Sequence, residues 1–69
     1  MTTDAIQASY SLLKEGQGRF SVLRDGVRVG EVLGRRGNWA VHTASGAYID
    51  NAPSFQDAYV VIEKNHQVH

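Results

Sequence analysis

Glu63-x-x-His66-x-x-His69 is the densest grouping of metal-capable side chains in the chain, and three-residue spacing brings such groups to a common side of a helix. A tetrahedral site needs four donors, and with no Cys and no further His run nothing completes the set. The grouping predicts a solvated chain end, and neither metal nor cofactor is expected. His42, Ser45 and Asp50 supply the residue types of a nucleophilic triad, but a triad is defined by mutual geometry and an oxyanion site, which a polar strand-and-turn stretch does not imply. No G-x-S-x-G elbow, phosphate-cradling loop or dinucleotide fingerprint is present; Gly16-Gln17-Gly18 precedes a strand-like run, whereas a phosphate loop opens a helix. The expectation is a protein that is not an enzyme.

The arginines make the stronger grouping. Arg19 and Arg28 fall on one side of a strand-like segment, and Arg35-Arg36 sit in the glycine-flanked loop Gly34 to Gly37 beside Trp39. Guanidinium groups pair bidentately with carboxylate or phosphate, and an exposed indole stacks on a base or anchors a protein interface. The expected partner-binding residues are therefore Arg19, Arg28, Arg35, Arg36 and Trp39, with a core position for Trp39 as the ordinary alternative in so small a chain.

Charge decides between partners. The 69 residues carry seven Lys+Arg against seven Asp+Glu, which is not the electrostatic footprint of a nucleic-acid binder. Residues 17–48 hold an excess of three positive charges, compensated by the two ends. Such a dipolar map orients a partner without general affinity for phosphate. A protein partner is expected over nucleic acid, and Leu23, Val32 or Trp39 near a sheet face would suit protein contact or self-association, so a homo-oligomer is open. Nucleic-acid binding through Arg19, Arg28, Arg35 and Arg36 is the second reading. The absence of Cys gives no sign of an oxidising compartment. No basic-plus-apolar leader and no apolar run of about 18 residues is visible, so a cytoplasmic chain without membrane contact is expected.

The elements that must position these residues follow from periodicity. Thr2 or Thr3 as cap, Asp4 in the first turn and Ile6, Tyr10 and Leu13 at helical spacing predict a helix over about 3–15, stopped by Gly16 and Gly18. Asp25-Gly26 between β-type runs predicts a two-residue type I′ hairpin joining strands at about 19–24 and 27–33. Strict alternation from that turn pairs Val22 with Val29 and Phe20 with Glu31. It sets Phe20, Val22, Val27 and Val29 on the core face, with Arg19, Ser21, Leu23, Arg28 and Gly30 opposite. Arg24, on the core side, should reach water at the edge. Trp39 to Thr43 marks a strand at about 38–44, and 47–50 is a possible fourth. Pro53-Ser54 opens a helix over about 54–65, with Phe55, Ala58, Tyr59 and Ile62 as its apolar stripe. The reading is one α+β domain spanning 1–69: helix, three- to four-stranded antiparallel sheet, helix, in two layers.

That element order resembles the double-stranded RNA-binding domain, but the first hairpin and the last helix carry Arg24-Asp25-Gly26-Val27 and Ser54-Phe55-Gln56-Asp57 in place of the RNA-contact signatures of that family. From Phe20 to Ile62 the pattern Asp25-Gly26, Gly37-x-Trp39, Ser45-Gly46 and Phe55-x-x-Ala58 resembles small sheet-plus-helix accessory proteins of phages and mobile elements, anti-CRISPR inhibitors among them. The resemblance implies an inhibitor that occupies a surface of a larger host complex. It carries over no functional residue.

Overall fold

The computed structural model describes residues 9–68. It is an α+β arrangement: strands β1 (Tyr10–Gly16), β2 (Arg19–Arg24), β3 (Val27–Arg35), β4 (Asn38–Thr43) and β5 (Tyr48–Ala52), then helix α1 (Phe55–Val68). The strands form one antiparallel meander in the order β1-β2-β3-β4-β5, and α1 lies across β5, β4 and β3.

The Asp25-Gly26 turn has φ of 53° and 86° at its two positions, the left-handed pair that a type I′ hairpin requires. It is braced from β1: the Asp25 amide donates to the Ser9 carbonyl oxygen at 2.7 Å, and the Ser9 amide donates to Asp25 Oδ1 at 3.0 Å. Beyond the turn, Arg24 pairs with Val27 and Leu23 with Arg28, but Val22 then pairs with Gly30 and Phe20 with Val32. Val29 is a bulge. One extra residue on β3 reverses the alternation, so Gly30 faces the helix and Glu31 the opposite side, contrary to the strict register. Val27, expected in the core, is 64 % exposed.

The predicted first helix is also overturned where it can be compared. Residues 10–16 are β1 and Ser9 is in no helix, while residues 3–8 of that segment lie outside the described residues. Tyr10 and Leu13 satisfy helical spacing, but Tyr10 and Leu12 equally satisfy strand alternation, and β2 offers β1 a hydrogen-bonded edge. Gly16 and Gly18 serve a hairpin, with Gly18 at φ 69°. The sheet thus has five strands and a single described helix, unlike the RNA-binding domain's order. Residues 48–52 form a full strand beside β4.

Ser54 starts α1. Its Oγ accepts the Asp57 amide at 3.2 Å and donates to Asp57 Oδ2 at 3.0 Å, satisfying an orphan donor of the first turn. The helix packs Ala58 and Ile62 onto Val22, Val32 and Val41, all buried. Phe20, Trp39 and Phe55 close one end, the Trp39 and Phe55 ring centres 4.6 Å apart and Phe20 edge-on to both. At the other end Tyr10 stacks on Tyr59 at 5.0 Å, and the part-exposed Arg24 is held to the helix, its Nε donating to Glu63 Oε1 at 3.0 Å. The Tyr10 hydroxyl donates to the same oxygen at 2.5 Å. Burial, with the Glu63 carboxylate beside it, pushes the Tyr10 pKa up to about 12. Among the described residues no helix is long and apolar enough to cross a membrane.

Candidate partner-binding face

With α1 on one side, the other face of the sheet carries no described element. Its side chains follow from register: Leu13, Ser21, Glu31, His42 and Tyr48 form one row across the strands, flanked by Arg19, Leu33, Ala40 and Asn51 and, near the Asp25-Gly26 turn, by Leu23 and Arg28. Leu13 is 53 % and Tyr48 57 % exposed. Between them lies a polar lattice. Ser21, 2 % exposed, donates to Glu15 Oε2 at 2.8 Å and accepts Arg28 Nε at 3.1 Å. Arg28 also reaches Glu31 Oε1 at 3.0 Å and the Ala44 carbonyl oxygen at 2.8 Å, while Arg19 Nε donates to Glu31 Oε2 at 3.0 Å. These five side chains, Glu15, Arg19, Ser21, Arg28 and Glu31, line an open concavity of about 370 Å³.

The expected basic patch is therefore electrically balanced. Arg19 and Arg28 do project from the open face, but each is held by Glu31, and Glu15 adds a second carboxylate. A phosphate seeking either guanidinium would compete with a carboxylate already in place. Glu31 escapes strict alternation because the Val29 bulge moves it to this face; a charged residue at a nominal core position, followed by Val32 at a nominal surface position, is the sequence signal of that phase break.

Arg35 and Arg36 differ. They sit at the turn between β3 and β4, where Gly37 takes φ 90°, both exposed, and neither forms an ion pair among the described residues. Beside them on the open face, the Tyr48 hydroxyl donates to Asn51 Oδ1 and Asn51 Nδ2 donates to Asn38 Oδ1 at 2.9 Å, a polar ladder running to the Arg35 end of the sheet. Trp39 does not belong to this surface. At 8 % exposure, between Phe20 and Phe55, it is core and cannot stack on a partner.

The remaining groupings separate in space. His42 is on the open face, edge-on to Tyr48 at 5.7 Å with its Nδ1 buried and without a hydrogen-bond partner among the described residues, whereas Asp50 pairs with Val41 and lies on the helix side, near Lys64. Ser45 bonds to Thr43. Glu63 is engaged by Tyr10 and Arg24, and His69 lies outside the described residues. Among the described residues no three metal-capable side chains gather. No protein-family model matches the chain, and no curated protein and no solved structure matches it either.

Proposed function

We propose that the chain is a non-catalytic binding protein that occupies a surface of a protein partner through its open sheet face, with Arg35 and Arg36 as the cationic anchors. The observation that carries this reading is the one-sided cover of the sheet among the described residues: a helix on one face, and on the other exposed Leu13 and Tyr48 around a balanced lattice, with arginines that form no ion pair among the described residues only at the β3–β4 turn. Apolar and aromatic contacts beside paired charges, rimmed by arginine, are the composition of protein interfaces. A phosphate backbone would meet few free cations here. As part of the same proposal, such a chain acts as an inhibitor by covering a working surface of a larger host complex.

The test is capture from host lysate with and without nuclease, comparing wild type with an Arg35→Ala/Arg36→Ala variant. The proposal expects a captured protein that survives nuclease and is lost from the variant. Capture abolished by nuclease, with affinity falling steeply as salt rises, would replace it with nucleic-acid binding. Undiminished capture by the variant removes the anchors.

A further inference from the structure

We propose that the outer edge of β1 pairs antiparallel with β1 of a second copy of this chain, making a twofold dimer with one continuous sheet. Among the described residues β1 and β5 are the edges of the sheet. The Asp25 amide bonds the Ser9 carbonyl oxygen at 2.7 Å, and because antiparallel pairs alternate between bonded and non-bonded, Ser9, Ser11 and Leu13 turn their backbone groups to β2. Tyr10, Leu12 and Lys14 then present theirs outward, a ready template for another strand. β5 is the poorer edge: it is short, α1 packs closely along it, Ile49 is bulged out of its register and Pro53 follows directly.

The β1 sequence is self-complementary about Leu12. A twofold axis perpendicular to the sheet sets Leu12 against Leu12 of the second copy, Tyr10 against Lys14 and Ser11 against Leu13, and it keeps both helices on one side. Each Lys14 ammonium then reaches the Tyr10 ring of the other copy, which is already stacked on Tyr59, a cation–π contact made twice by symmetry. On the open face the two exposed Leu13 side chains become diagonal neighbours. Leu12 is only partly buried against the core, and α1 makes its main contacts with β3 to β5. The irregularity between Lys14 and Gly16 ends regular pairing beyond Lys14. With β5 encumbered, the assembly closes as a dimer and does not propagate as a filament. This inference does not rest on the proposed partner, shares only Leu13 with the residues named for that face, and doubles the open face.

The experiment is sedimentation equilibrium of the full chain over a concentration series. The mass is expected to move from 7.6 kDa toward twice that value. Leu13→Glu brings like charges together and should weaken self-association at least tenfold, with the circular dichroism spectrum unchanged because Leu13 is exposed. An independent arm uses Leu12→Cys in this Cys-free chain: paired Cα atoms about 5.5 Å apart lie within disulfide reach, so oxidation should give a covalent dimer. A mass of 7.6 kDa at every concentration, or a dimer indifferent to Leu13→Glu that yields no L12C cross-link, overturns the proposal.

Discussion

Gly30→Ala separates the bulged register from the strict one by the sign of a stability change. Gly30 has no positive φ, so alanine meets no backbone strain there. If the residue faced solvent, the substitution would stabilise by about 0.4–1 kcal/mol by restricting the unfolded chain. In the structure Gly30 lies under α1, where an added Cβ would sit 2.8 Å from Ile62 Cδ1 and 2.8 Å from the His42 carbonyl oxygen. Overpacking of that kind costs about 1–3 kcal/mol, and a backbone oxygen among the contacts puts it in the upper half of that range, about 2–3 kcal/mol, leaving a net loss of about 1–2.6 kcal/mol. For a chain this small that lowers Tm by about 4–20 °C. Thermal and urea unfolding followed by circular dichroism read the effect directly. Ile62→Val supplies the second half of a double-mutant cycle. Alone it costs about 0.5–1.5 kcal/mol. In the Gly30→Ala background it removes the clashing Cδ1 and should cost less or restore stability, a coupling of about 1 kcal/mol. The carbonyl contact is backbone, so rescue is incomplete. A neutral or stabilising Gly30→Ala, or strict additivity with Ile62→Val, would refute the placement of Gly30 beneath the helix.

The two remaining predictions concern the ends of the core. Spectrophotometric titration should show Tyr10 ionising only near pH 12, with Tyr59 also raised by burial; because the folded pKa of Tyr10 lies above the unfolded value of about 10, its stabilising contribution is complete below pH 10 and lost as pH rises toward 12. Glu63→Gln removes the carboxylate that helps hold the proton, and Tyr10 should then ionise at lower pH. At the hairpin tip, Asp25→Ala places alanine at φ 53° and deletes the bond to the Ser9 amide. A loss of about 1–2 kcal/mol is expected, against little change for Asp25→Asn, measured by urea unfolding.

Local signals were readable where chemistry left one backbone solution. Asp25-Gly26 determines its own turn, and Pro53-Ser54 with a stripe at helical spacing announces α1. Tyr10 to Lys14 is different, since its pattern fits helix and strand alike and the decision comes from β2, a tertiary partner that periodicity does not contain. The open-face arginines were readable by type and side; their neutralisation was not, because it depends on the Val29 bulge delivering Glu31 to the same face. Trp39 shows the limit of residue type. Its neighbour Arg36 invites an interface role, yet strand alternation sends the indole inward to Phe20 and Phe55.

The meander connectivity governs the order in which the chain acquires structure. Each strand bonds to the one just before it through a short turn, so loop-closure entropy is small and hairpins form as soon as their residues are available. The apolar side is sealed last. Val22, Val32 and Val41 stay open to water until Ala58 and Ile62 arrive with the helix, so during synthesis on the ribosome the sheet precedes its own cover. Misassociation is most dangerous in that interval, and it ends only when the helix, whose first turn Ser54 caps, docks on the sheet.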